Sequence, residues 1–291
     1  MKAALAAAMF LAMSSLGARA APALWLVQSP TTKIYLFGTM HILPKKLPWF
    51  TGKPKAAFEA ADELWEEADV SPAGGMGASD MMRLGVDPNT DVLSLIPADE
   101  AKTFKAELEK CHLTGEVVTH FRPWLAALMP TICDIMAQSE PAAKAGKTDD
   151  THPDQLLASQ ATEHLKRTKF FETVADQLGY LSNAPQEAQI QQLRKAIKES
   201  ATGKDDFTGL ENAWFNGDTA AIAKAVLQMR GDSEAFYQTI LAQRNVRFAA
   251  RIKELLTQPG IIFVAVGAGH LAGPDSVQAQ LEKSGIHSSF Q

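Results

Sequence analysis

Residues 261–270 read IIFVAVGAGH: an unbroken apolar run from Ile261 to Val266, followed at once by Gly267-Ala268-Gly269-His270. A run with no polar residue suits a central strand covered on both faces, because a half-exposed strand would alternate. The layout recurs near the start of the chain, where the strand candidate Lys33–Phe37 is followed by Gly38-Thr39-Met40-His41. In each copy a strand ends, a glycine gives the backbone freedom to turn sharply, and a histidine emerges. Ligands of open α/β sheets bind beyond the carboxyl ends of the strands. If the two strands run parallel and close together, the imidazoles converge there, and two imidazoles are half of a metal site.

Working outward, Ala23–Gln28 and Lys33–Phe37 flank the turn-rich Ser29-Pro30-Thr31-Thr32 and predict a hairpin. A helix is expected over 53–61, a third strand over Glu63–Ala68, and a loop over 71–90 with a short helix at 79–85. Helical spacing predicts helices over Ala98–Cys111, Pro123–Ala137, Pro153–Arg167, 173–182, 185–202, Leu210–Phe215 and Ala220–Met229. A long helix is expected over Ser233–Thr257, capped by Asp232 or Ser233. Residues 139–153 read as a surface loop and Lys169–Glu172 as a short strand; a last helix over about 275–284 precedes an edge strand at 286–290. Strands at both ends around a helical middle predict one α/β domain over 21–291, with a sheet built from the N- and C-terminal strands.

Carboxylates stand at the ends of the other strand candidates. Glu67 closes one, with Glu66 and Asp69 beside it, and Glu172 closes another. Two histidines with one or two carboxylates leave open positions on a divalent transition metal, the composition of a catalytic site. Arg244 lies in the long helix, where a buried guanidinium would need an acid partner or a substrate oxyanion. His112, His120, His152, His164 and His287 sit in polar or terminal segments and are expected to be solvated; Trp124 and Trp214 are expected to pack.

Composition bounds the partners. The 291 residues carry 28 Lys+Arg against 33 Asp+Glu, a formal net charge of −5, and no basic stripe points to nucleic acid. Residues 1–20 combine Lys2, a short apolar run over 3–13 and Ala18-Arg19-Ala20, the pattern of a secretory signal peptide cleaved after Ala20. That run is too short for a membrane span, and none is expected later. The expected compartment is the periplasm or the exterior. An oxidising compartment permits a Cys111–Cys133 bridge, but two unpaired apolar thiols fit the sequence equally well.

Five stretches carry a resemblance to a known family: LWLVQSPTTKIYLFGTMHILP, ADELWEEAD, KFFETVADQL, ILAQRNVRFAARI and FVAVGAGHLAGPDSV. On these the chain resembles the TraB/GumN family, related to the Tiki proteins, over essentially all of its length after residue 20. The resemblance implies a mixed α/β sheet and a metal-dependent hydrolase, a peptidase first, using manganese or cobalt, with zinc as a further candidate. It implies metal ligands at His41, His270 and Glu67, and catalytic roles for Glu67, Glu172 and Arg244. A second carboxylate would act as base and Arg244 would stabilise an oxyanion. Related ChaN-type proteins bind haem, so a non-catalytic haem- or peptide-binding protein is the alternative. A two-histidine, one-carboxylate iron oxygenase ranks last.

Overall fold

Alternation along three strands sorts the side chains onto two faces of one sheet. Phe37, Leu64, Phe263 and Ala265 enter one buried cluster, whereas Ile34, Leu36, Trp65, Ile262, Val264 and Val266 enter another. Both faces are covered, as the apolar run at 261–266 requires. The computed structural model describes residues 21–41, 43, 47–69, 78–143, 151–202 and 207–291. The expected signal peptide lies outside the described residues, as do 70–77, 144–150 and 203–206.

In chain order the elements are β1 (Leu24–Gln28), β2 (Thr32–Thr39), α1 (Gly52–Ala60), β3 (Glu63–Glu66), α2 (Ala78–Gly85), α3 (Ala98–Glu109), α4 (Pro123–Ala143) and α5 (Pro153–Glu163). Then come β4 (Arg167–Phe170), α6 (Val174–Ser182), α7 (Gln186–Thr202), α8 (Phe207–Phe215), α9 (Thr219–Asp232), α10 (Glu234–Tyr237), α11 (Gln243–Leu255), β5 (Gly260–Gly267), α12 (Val277–Glu282) and β6 (Ser288–Phe290). The sheet order is β4-β3-β5-β2-β1-β6. β5 pairs in parallel with both β2 and β3, and β3 with β4, while β1 is antiparallel to β2 and β6. The mixed sheet therefore joins the two ends of the chain, as expected.

Helices α1, α5 and α8 cover one face through Phe58, Leu157 and Trp214. Helices α11 and α12 cover the other through Phe248, Ile252, Val277 and Leu281. The helical middle has its own core, where Phe104, Leu108, Trp124, Leu125, Leu193 and Ile197 meet. A Cys111–Cys133 disulfide ties α4 to the end of α3, with Cα atoms 5.0 Å apart. Among the described residues, no helix is long and apolar enough to cross a membrane.

Several expected boundaries move. α5 stops at Glu163, short of Arg167, and the exposed Leu165 takes a left-handed φ of 53° where the chain turns into β4. β4 lies two residues earlier than expected because its register pairs Arg167 with Glu63. As an edge strand it tolerates the polar Arg167 and Lys169. α4 continues to Ala143 rather than Ala137. The expected helix over Ser233–Thr257 is interrupted by a π-helical turn at Gln238–Ala242, in which the Gln243 N–H reaches back to Gln238 O. Ser233 is the cap, its Oγ accepting from Phe236 N–H.

The glycines after the two central strands have a different role from the one expected. Neither Gly38 nor Gly267 has a positive φ. They are required by contact: a Cβ on Gly38 would lie 2.9 Å from Ala268 Cα, and one on Gly267 would lie 3.2 Å from Glu67 Oε1. The end of β2 thus presses directly on the turn that carries His270. Trp214 fixes the same point by donating Nε1–H to Gly38 O at 2.6 Å. Gly38→Ala is expected to lower stability by about 1–3 kcal/mol in urea unfolding. Gly231→Ala, where a Cβ meets nothing within 4 Å, is expected to be neutral or stabilising; equal losses in both would refute the contact.

Candidate active site at the carboxyl ends of the strands

The parallel register pairs Thr39 of β2 with Gly267 of β5, and Glu66 of β3 with Ala265 of β5. His41, Glu67 and His270 therefore follow three neighbouring strand ends. A single helical turn, Ala268–Leu271, carries His270 into the interior. His270 Nε2 lies 3.4 Å from Glu67 Oε1, and its Nδ1 lies 2.5 Å from Asn245 Oδ1. The Phe248 ring stands 5.1 Å from the imidazole. Burial pushes His270 down to about 4, and the charge of Glu67 only partly opposes it. The imidazole is therefore neutral at neutral pH.

Glu67 is buried and fully bonded. Its Oε1 accepts Gly267 N–H at 2.6 Å, and its Oε2 accepts from Gln177 Nε2 at 3.0 Å and Arg244 Nη2 at 2.5 Å. Burial alone would raise its pKa, but His270, Arg244, His41 and the Gly267 N–H outweigh that and hold it near 2. It is a carboxylate throughout the physiological range.

Arg244, on the first turn of α11, links this group to Glu172. Its Nε lies 3.0 and 3.1 Å from the two Glu172 oxygens, and its Nη2 lies 2.8 Å from Glu172 Oε2. Nη1 donates to Ile240 O at 3.0 Å, inside the π-helical turn. Helical interruptions of this kind recur at functional sites, and here the turn supplies a backbone acceptor for the guanidinium. Tyr180 and Phe248 flank the guanidinium carbon at 5.3 and 5.4 Å. Glu172 reaches Glu67 through the backbone as well, its N–H donating to Glu67 O at 2.8 Å.

His41 has a separate partner. Its Nδ1 lies 2.8 Å from Asp154 Oδ2, at the start of α5. The hydrogen bond and charge of Asp154 push the imidazole up to about 9. Glu66 shares that side of the sheet. It is buried, its Oε1 has no hydrogen-bond partner among the described residues, and burial together with the charges of Asp154 and Asp69 raises it to about 8. Neighbouring carboxyls thus sit in opposite states: Glu67 anionic on the α11 side, Glu66 neutral on the α5 side.

Of the residues singled out in the sequence, the structure brings Glu67, His270, Arg244 and Glu172 into one hydrogen-bonded group and leaves His41 outside it, exposed at the adjoining strand end and bonded to Asp154. Among the described residues, no group of three or more His, Cys, Asp or Glu is already gathered as a metal cage. Sequence reading missed Asp154, whose only local signal is a first-turn acid after Pro153, and it gave Asn245 and Gln177 no role. Ser276 caps α12, and just before it Asp275 O accepts from Asn245 Nδ2 at 2.8 Å.

A mixed α/β sheet with a carboxylate–imidazole pair buried at adjoining strand ends defines a class of strand-end site protein. Within that class the chain belongs to the TraB/PrgY/gumN family, whose model matches residues 23–289. It is also similar to an uncharacterised protein of Treponema pallidum (strain Nichols), 23% identical over 273 residues, covering 87% of this chain and 78% of the relative. No solved structure matches.

Two outcomes follow from this geometry. Removing Arg244 leaves two buried carboxylates facing each other, so Arg244→Met should cost about 3–5 kcal/mol in the metal-free protein. Arg244→Lys should not restore it, since an ammonium cannot reproduce the forked contacts; full stability in either variant would contradict the clamp. For Glu66, a folded-state pKa raised from 4.5 to about 8 gives stability that is complete below the lower value and lost as pH rises through the upper one. Urea unfolding across that window should show the wild type losing stability with rising pH and Glu66→Gln losing less; parallel profiles would contradict a neutral buried acid.

Proposed function

We propose that this chain is an exported metal-dependent hydrolase whose substrate is a peptide. One observation carries the reading: an ionised, fully oriented carboxylate, Glu67, lies 3.4 Å from a buried neutral imidazole, His270, at the ends of adjoining parallel strands. An imidazole nitrogen and a carboxylate oxygen are donors that divalent transition metals accept, so the residues fit such an ion. His270 and Glu67 would hold it; His41, held protonated by Asp154 in the metal-free protein, would join from the next strand as third ligand on giving up its Nε2 proton. Manganese or cobalt is the expected ion, and zinc the next candidate. A bound ion of this type supplies Lewis acidity for hydrolysis.

The chain's own residues have definable tasks in this reading. Arg244 orients Glu67 and keeps it ionised. Glu172 accepts from Nε and Nη2 of Arg244 and anchors the guanidinium. Asp154 holds the proton at His41 Nδ1, and Phe248 shields the His270 ring from water. The choice of a peptide substrate rests on the likeness to the Tiki proteins. Export rests on the signal-like residues 1–20 with cleavage after Ala20. The Cys111–Cys133 disulfide suits the oxidising periplasm or exterior.

The test is metal content by mass spectrometry after incubation with manganese, cobalt or zinc, paired with cleavage of a peptide library. Wild type should retain near-stoichiometric metal, with most of it lost in His41→Ala, His270→Ala and Glu67→Gln. Unchanged content in both histidine variants, or none in wild type with any of the three ions, would remove the reading. Ion retention without turnover of any peptide would leave a binding protein.

A further inference from the structure

Asn245 is fully buried on α11, next to Arg244. Its Nδ2 donates to Asp275 O at 2.8 Å. That carbonyl belongs to a residue held from two other directions, since Asp275 Oδ2 accepts the Tyr237 hydroxyl at 2.8 Å and lies 3.4 Å from Arg230 Nη1. Gln280 Nε2 approaches the same carbonyl at 3.4 Å. Reversing the Asn245 amide would set its oxygen against the Asp275 oxygen, two acceptors with no proton between them, so only one orientation satisfies both ends.

In that orientation the Asn245 oxygen faces His270 Nδ1 at 2.5 Å. An amide oxygen can only accept, so Nδ1 carries the proton. We propose that Asn245 is a positioning residue: by accepting from Nδ1–H it fixes the tautomer of His270 and leaves the Nε2 lone pair directed at Glu67. The Glu67 oxygen at 3.4 Å from Nε2 already accepts Gly267 N–H. Two electron-pair donors then face each other, an arrangement that fits an electron-pair acceptor between them. Orienting bonds on the remote imidazole nitrogen are a recurring feature of metal-ligating histidines. The chain Tyr237–Asp275–Asn245–His270 therefore carries the packing of α10 to the nitrogen that faces the site. The tautomer assignment stands on geometry alone; its use in holding an ion rests on the hydrolase reading above.

The experiment is nitrogen NMR of 15N-histidine-labelled protein, freed of metal by chelation, with the His270 signals assigned by their absence from His270→Gln. Wild type should show a single Nδ1–H tautomer. Asn245→Asp, which keeps the acceptor facing Nδ1 but loses stability by setting a second oxygen against Asp275 O, should retain Nδ1–H, and Asn245→Leu should shift His270 to Nε2–H or a mixture. Affinity for manganese, cobalt or zinc should fall about 10–100-fold in Asn245→Leu. An Nε2–H tautomer in wild type, or an unchanged tautomer in Asn245→Leu, overturns the inference. If Asn245→Leu does not fold, the wild-type and Asn245→Asp spectra decide it. A bare Nε2 in a wild type that binds none of the three ions overturns the metal reading and leaves the tautomer assignment standing.

Discussion

The parallel pairing of β2 with β5 is the constraint on which the rest depends. It aligns Thr39 with Gly267, and so sets the two histidine-bearing turns side by side at the carboxyl ends of two central strands. The fit is close enough that Gly38 has no room for a side chain against Ala268. β3 joins on the other side of β5 and delivers consecutive carboxyls, which pleating sends to opposite faces. The polar groups are thereby divided. Glu67, His270, Arg244, Glu172 and Asn245 lie under α11, whereas Glu66 and Asp154, with His41, lie on the side of α5.

The buried ions are costly to hold. Desolvating a guanidinium and two carboxylates is offset only when nearly every lone pair and proton finds a partner, and this group comes close. Gly267 N–H, Gln177 and Ile240 O supply contacts to it from outside, and Arg247 lies 3.7 Å from Glu172 Oε1. An apolar cluster of the same volume would stabilise the fold as well or better. What the ionic cluster gives instead is a carboxylate of fixed orientation and fixed charge next to a neutral imidazole. Glu66, on the opposite face, has an oxygen without a partner among the described residues, and burial pushes its pKa up rather than down.

Much of this was legible in the sequence because its cause is local. Ile261–Val266 has no polar residue, so a doubly covered strand was the economical reading. The repeat of glycine and histidine at fixed spacing after two such strands pointed to one end of one sheet. The misplacements have physical reasons. β4 is an edge strand, so Arg167 and Lys169 disguise it, and it lay two residues from its expected position. The π-helical turn at Gln238–Ala242 leaves no mark on an amphipathic pattern. Asp154 meets His41 across 113 positions of chain, and Asn245 meets His270 through a choice of amide orientation; neither contact has a periodicity to betray it. In sequence, a close approach between distant segments reads the same as a sharp turn, which is why Gly38 and Gly267 suggest turns where they instead allow contact.

The position of β5 within the sheet has a consequence for how the molecule forms. β2 and β3 are consecutive in the chain among the strands, yet they do not touch; β5, which begins only at Gly260, lies between them. During synthesis the ribosome delivers both flanking strands long before the one that joins them. Nearly the whole polypeptide must emerge before the sheet can close. Contacts of such large sequence separation make folding slow, and a product truncated ahead of residue 260 would leave two unsatisfied strand edges open to pairing with other chains.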